Sequence, residues 1–207
     1  MKVIIFGATG SIGQSALRVI REQRKQEAIQ ITAITGNNNV EQLCRDAIEF
    51  NVERVVTANH EHLSQLRHNL ASYEIKVLSG SEAILETAQI EADWVLSAII
   101  GYNGVPATLE AIRNSKTVAI ANKESLVCAG KIIMDMAEKY HTTILPVDSE
   151  HNAIFQCLNG ESIKTVRKVT LTASGGPFRN WTLEEMKKAT LVQALAHPTW
   201  SMGKRIS

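Results

Sequence analysis

Short apolar runs alternate with helix-length amphipathic segments along most of the chain. "KVIIF" precedes Ile12 to Arg24, "IQITAIT" precedes Val40 to Phe50, and "RVVT" precedes His60 to Leu70. "IKVL", "DWVLSAI" and "KTVAIA" are likewise each followed by a segment with helical periodicity. Strands that are apolar at nearly every position belong to a parallel sheet covered on both faces, so the pattern predicts a doubly wound α/β domain. After about Pro146 the rhythm changes. "KTVRKVTLTASGG" is longer and alternates, and the segments beyond it are rich in Gly, Pro, His and Trp. A domain boundary is expected there, with residues 1–146 forming the first domain and 147–207 the beginning of a second, α+β one. No internal repeat or low-complexity segment interrupts the pattern.

Composition narrows the partners. With 207 residues, 44% hydrophobic content and a formal charge of +1, the chain can bury a full core and shows no basic bias toward nucleic acid or a membrane surface. A small-molecule substrate is the expectation. Cys44, Cys128 and Cys157 are odd in number and lack CxxC spacing, so they read as reduced core thiols in a cytoplasmic protein. No apolar segment approaches the roughly 20 residues of a membrane span, and the N-terminus does not read as a signal peptide.

The first strand runs directly into "GATGSIG", with Gly7, Gly10 and Gly13 ahead of a helix. Glycines in such a turn let the backbone bend, approach a pyrophosphate and pack helix against strand, while the helix N-terminus faces the anion. The spacing is G-x-x-G-x-x-G rather than G-x-G-x-x-G, and a ligand-free glycine turn is the competing reading. Its place at the start of a βαβ pattern favours a dinucleotide site of Rossmann-like type. The second strand ends in "AITGNNNV", without the acid that bonds a 2′-hydroxyl in NAD sites, and Asn37, Asn38 and Asn39 can donate to a 2′-phosphate. NADP is therefore expected over NAD.

Acidic and polar residues also follow buried strands elsewhere. In "LPVDSEHNAIFQ", Asp148 and Glu150 flank Ser149; on extended backbone they would converge on one side, about 6.6 Å apart along the chain, and suit a hard divalent ion. Capping of a helix over Asn152 to Leu158 is the alternative, and these residues alone leave both open. "AIANKESLV" sets Asn122, Lys123 and Glu124 at another strand end. Lys123 there could meet a phosphate or a substrate oxygen, or Asn122 could simply cap a helix whose first turn is solvated. Ser174 in "TASGGPF" suits an anion-binding turn or an ordinary loop, and "HPTWSMGKRIS" suits a mobile lid. His60, His62 and His68 complete no ligand pattern and read as surface residues. Ser149 with His151 lacks the G-x-S-x-G context of a hydrolase.

Together, GATGSIG, ANKESLV, LPVDSEHNAIFQ, ASGGPF and HPTWSMGKRIS resemble the 1-deoxy-D-xylulose 5-phosphate reductoisomerase family over residues 1–207, as its N-terminal cofactor domain and the start of its catalytic domain. The resemblance implies NADPH held by Gly7, Thr9, Gly10, Ser11 and Ile12 at the pyrophosphate. It places the Asn37 to Asn39 loop, with Gly36, near the 2′-phosphate, Asn122 and Glu124 near the nicotinamide end, and Met202 also on the cofactor. It implies Mg²⁺ or Mn²⁺, with Co²⁺ a further candidate, on Asp148 and Glu150. It also implies a sugar phosphate substrate contacted by Lys123, Ser149, Glu150, Ser174, His197 and Trp200, with Lys123, Asp148, Glu150 and His197 catalytic. A homodimer is implied for the whole protein. In the family, a third metal carboxylate and the substrate-phosphate residues follow the segment corresponding to "KRIS", so the sequence reads as C-terminally truncated. Relatives often place a basic residue where Asn37 to Asn39 stand. A dinucleotide-binding fragment or interaction module without catalysis is the rival reading. A short-chain oxidoreductase would need a Tyr-x-x-x-Lys pair, which the sequence lacks.

Overall fold

The computed structural model of the chain describes residues 1–24, 27–172, 175–196 and 198. It holds two compact units, Met1–Phe155 and Gln156–Ser207.

The first unit is a seven-stranded sheet with helices between the strands. In chain order it runs β1 (Lys2–Phe6), α1 (Ser11–Gln23), β2 (Gln30–Gly36), α2 (Val40–Glu49), β3 (Arg54–Thr57), α3 (Leu63–Asn69) and β4 (Lys76–Ser79). It continues through α4 (Gly80–Ala88), β5 (Ala92–Ser97), α5 (Val105–Asn114), β6 (Ser115–Ile120), α6 (Lys123–Tyr140), β7 (Thr143–Pro146) and the start of α7 (Ser149–Leu158), whose residues 156–158 belong to the second unit. Every strand pair is parallel, in the order β4-β3-β2-β1-β5-β6-β7. The sheet's order and the alternation of strands with helices match the doubly wound expectation.

The period of two along β1 explains how both faces are covered. Val3 and Ile5 enter one apolar cluster with Leu17, Leu43 and Leu66, whereas Ile4 and Phe6 enter another with Ile84, Ile112 and Ile133. Every one of those four β1 side chains is fully buried, and burial of each contributes about 1.5–3 kcal/mol. Because β1 lies between β2 and β5, the chain winds outward on one side through β4 and returns on the other. Its carboxyl end therefore sits at the switch point where open α/β sheets bind ligands.

Several expectations need correction. The segment His60 to Leu70 is a single 3₁₀ turn, His60–His62, followed by α3. His60 and His68 are exposed, as expected, although His60 Nδ1 lies 2.9 Å from Ser79 Oγ and His62 is only half-exposed. Cys44 is buried, but Cys128 and Cys157 are exposed and are not core thiols. Cys128 lies on the solvent face of α6 beside Val127, which is 85% exposed, and α7 buries no residue at all. The first compact unit runs to Phe155, and at the β7–α7 junction Asn152 Nδ2 donates to the Pro146 carbonyl at 2.7 Å.

The second unit contains a 3₁₀ turn at Ile163–Thr165 and two short helices, α8 (Leu183–Met186) and α9 (Leu191–Leu195). Thr182 and Thr190 start these helices with complete capping boxes. The alternating run 166–172 pairs with no strand among the described residues, and Val169 and Leu171 are exposed. None of the described helices is long and apolar enough to cross a membrane.

Candidate functional site

All seven strands end on one edge, and backbone bonds continue the ladder beyond them. Ala8 N–H donates to the Thr35 carbonyl, Ala98 N–H to that of Phe6, Ala121 N–H to that of Ser97 and Val147 N–H to that of Ile120, at 2.7–2.9 Å. Gly7 to Ser11, Gly36 to Asn38, Asn122 to Glu124 and Asp148 to Glu150 thus share an edge. Three strand spacings separate Gly7 from Asp148, about 14 Å across the sheet.

The glycine turn is built for close backbone approach. Gly7 has φ +82°, and a Cβ there would meet the Ala98 carbonyl oxygen at 2.5 Å. A Cβ on Gly13 would collide with the carbonyl oxygens of Gly7 and Ala8, which brings α1 hard against the turn. Gly10 is the N-cap of α1, and no side chain caps that helix. The first-turn N–H groups at exposed Ser11 and Ile12 therefore face a site suited to an anion. A Cβ on Gly36 would lie 3.2 Å from Thr9 Cγ2, so the second strand's end touches the turn. Asn37 and Asn38 are exposed beside it, while Asn39 is committed to capping α2 by accepting from Gln42 N–H at 3.1 Å.

Asn122 is 4% exposed, and its amide donates to the carbonyls of Ile99 and Gly101, both at 2.6 Å. Its oxygen accepts from Glu124 N–H at 3.1 Å, so this side chain welds the β6 end to the β5 loop and caps α6. Lys123 and Glu124 are exposed first-turn residues of α6.

The carboxylate pair does not lie on extended backbone. α7 begins at Ser149 directly after β7, so the strand pleat cannot align Asp148 with Glu150, and Asp148 occupies the capping position instead. Its Oδ1 accepts from His151 N–H at 3.2 Å, and both carboxylate oxygens lie 2.8 Å from His151 Nδ1. His151 faces Asp148 rather than Ser149, which removes the geometry of a serine nucleophile with its base. The Asp148 side chain is 8% exposed and that of His151 52% exposed, so the ring can swing aside without opening the core. Asp148 and Glu150, two residues apart in sequence, match a hard, oxygen-preferring cation in donor type alone. Among the described residues no group of three His, Cys, Asp or Glu side chains assembles around them. Ser174, His197, Trp200 and Met202 lie outside the described residues.

Sequence reasoning overlooked the supports of the turn. Thr35 Oγ1 accepts from Gly7 N–H at 3.0 Å, and Gln14 Nε2 donates to the Ala8 carbonyl at 3.0 Å. A threonine in an otherwise apolar buried strand end was the available signal.

The fold and its edge define a Rossmann-like α/β protein with a dinucleotide-type glycine turn. The chain belongs to the 1-deoxy-D-xylulose 5-phosphate reductoisomerase family, whose model matches residues 3–130. The model of that family's C-terminal domain matches residues 144–207. The reductoisomerase of Ruegeria sp. (strain TM1040) is 48% identical over 206 residues, covering 100% of this chain and 52% of the relative. That of Bacteroides thetaiotaomicron is 49% identical, covering 100% and 53%. Among solved structures, the Zymomonas mobilis reductoisomerase in complex with NADPH superposes with a TM-score of 0.87 at 44% identity, covering 95% of this chain and 52% of the other. A reductoisomerase in complex with NADPH, fosmidomycin and magnesium gives 0.87 at 39%, covering 99% and 52%. The chain spans about half the length of the relatives it matches.

Proposed function

We propose that this chain supplies the NADPH-binding and metal-ligating part of an enzyme that converts 1-deoxy-D-xylulose 5-phosphate to 2-C-methyl-D-erythritol 4-phosphate in non-mevalonate isoprenoid biosynthesis. The observation that carries the reading is the shared sheet edge: the glycine turn and the Asp148–Glu150 segment end on it three strands apart, in a family with a member solved with NADPH and magnesium. Gly7, Thr9, Gly10, Ser11 and Ile12 would receive the pyrophosphate on backbone amides, and Gly36, Asn37 and Asn38 would border the 2′-phosphate. Asn122 would act by holding the β5 loop and the α6 N-terminus in place beside the cofactor, with Glu124 and Met202 as further contacts.

Asp148 and Glu150 would hold Mg²⁺ or Mn²⁺, whose chemistry is Lewis-acid polarisation of a carbonyl oxygen, while NADPH supplies hydride. Lys123, exposed in the first turn of α6, would donate to a substrate oxygen. Ser149, Glu150, Ser174, His197 and Trp200 complete the proposed substrate contacts, with His197 assigned a catalytic role. A cytoplasmic homodimer is the corresponding form of the whole protein.

The test is NADPH oxidation by the whole protein with 1-deoxy-D-xylulose 5-phosphate at limiting Mg²⁺. Asp148→Asn should lower turnover on the order of 10²-fold and leave NADPH affinity within about threefold, because it removes a charged oxygen ligand and spares the glycine turn. Full activity of that variant would reduce Asp148 to a helix cap.

A further inference from the structure

A carboxylate buried among uncharged partners is costly, and its position asks for a reason. Asp46 on α2 is 1% exposed. Gln14 Nε2, from α1, donates to its Oδ2 at 2.6 Å, and Gln42 Nε2, one turn earlier on α2, donates to its Oδ1 at 2.8 Å. Burial pushes the Asp46 carboxyl above the ordinary range, and the two amide donors pull it partly back.

Both glutamines are held at their other ends. The Gln14 amide nitrogen also donates to the Ala8 carbonyl at 3.0 Å, inside the glycine turn. Gln42 Oε1 accepts from Arg45 at 2.9 Å, and Gln42 N–H is capped by Asn39. A continuous chain of bonds thus runs from Ala8 through Gln14, Asp46 and Gln42 to Asn39, the residue that follows the 36–38 loop.

The Ala8 carbonyl belongs to the same peptide unit as the Thr9 N–H. In a planar trans peptide the two point in opposite directions, so fixing the carbonyl toward Gln14 aims the Thr9 N–H the other way. Thr35 fixes the preceding peptide through Ala8 N–H. The turn is therefore clamped on both sides, from β2 and from Asp46.

We propose that Asp46, acting through Gln14, is a positioning residue for dinucleotide binding: it orients the Ala8–Thr9 peptide toward the pyrophosphate and couples the turn to the 2′-phosphate loop. This rests on the NADPH reading of the edge. Removing the negative acceptor leaves Gln14 without the bond that opposes rotation, and the Thr9 N–H loses its fixed aim. Asp46→Asn cannot repair the chain cheaply. Its new amide hydrogens confront either Gln14, which cannot invert without abandoning Ala8, or Gln42, whose inversion sets its own amide hydrogens against Arg45.

The experiment titrates NADPH into the native whole protein and into Asp46→Asn, Gln14→Met and the double variant, with thermal midpoints and steady-state rates measured alongside. Each single variant should raise the NADPH Kd about tenfold, the loss of one hydrogen bond to a charged acceptor. The double variant should be no worse than the weaker single, because both act through one chain. Turnover at saturating NADPH should stay within about twofold. A purely structural role would lower the thermal midpoint and leave the Kd of the folded protein unchanged; affinities within twofold of native in folded variants overturn the proposal. Gln14 is only half-buried, so Gln14→Met carries the measurement if Asp46→Asn does not fold. Failure of the native protein to bind NADPH overturns the proposed function as well, whereas native binding with unchanged variants overturns this inference alone.

Discussion

Gly13 and Gly10 stand three residues apart in one turn and differ sharply in what surrounds them. A methyl group on Gly13 would lie 2.5 Å from the Ala8 carbonyl oxygen and 2.6 Å from Ala8 Cα, all backbone that cannot rotate away. On Gly10 it would meet only the Gly7 carbonyl oxygen, at 3.3 Å. Gly13→Ala should therefore cost about 2–4 kcal/mol of stability by overpacking and weaken NADPH binding at least tenfold as α1 is pushed from the turn. Gly10→Ala should cost under about 1 kcal/mol. Urea unfolding and NADPH titration of both variants check the contrast, and equal behaviour of the two would show that the close packing of α1 does not shape the site.

Helices α1 and α2 are joined at two points by carboxylates of α2 that respond to pH in opposite senses. Glu49 lies 2.5 Å from Arg21 Nε and 3.4 Å from Arg24, and both guanidinium groups stack on Phe50. The Arg21 hydrogen bond holds the Glu49 carboxyl below its usual 4.5, so its contribution is present above that pH and is lost as pH falls through the lowered value. Asp46 is raised from 3.8 by burial, so its contribution is present below that pH and fades as pH rises. Glu49→Gln should flatten the acid side of the stability curve, by no more than about 1 kcal/mol for so exposed a pair. Chemical denaturation between pH 3 and 7, spanning about both values, measures this. An unchanged acid limb would show that the bridge does not hold the helices together.

The strands were legible because parallel burial leaves each an apolar run, and "KVIIF" and "RVVT" coincide with β1 and β3 to the residue. The carboxylate pair was not, because Asp148 suits a strand end and a helix cap equally, and only the onset of α7 at Ser149 decides between them. Cys128 and Cys157 misled for a related reason: an apolar residue on an amphipathic helix reads as buried until a packing partner is known. The Gln14–Asp46 bond joins residues 32 apart in sequence, beyond the reach of any local pattern.

For the whole molecule, the two units make different demands. The first contains a complete seven-stranded sheet with its glycine turn, so residues 1–207 alone should bind NADPH. Among the described residues no group of three His, Cys, Asp or Glu side chains gathers to hold a metal, and Mg²⁺ needs near-octahedral oxygen placement at about 2.0–2.1 Å. Residues 1–207 should therefore turn over 1-deoxy-D-xylulose 5-phosphate far more slowly than a protein of the relatives' full length. NADPH oxidation with Mn²⁺ compares the two, and similar rates would show that these residues already hold the complete site.

Calorimetric titration of NADPH and NADH into the protein reads out whether the carboxyl edge of the sheet is an NADPH site. Gly36 to Asn38 present amide donors and no carboxylate beside the turn, so NADPH should bind at one site per chain and about tenfold tighter than NADH. Equal affinities would contradict the reading of the 36–38 loop, and no binding of either cofactor to the folded protein would contradict the assignment of the edge itself.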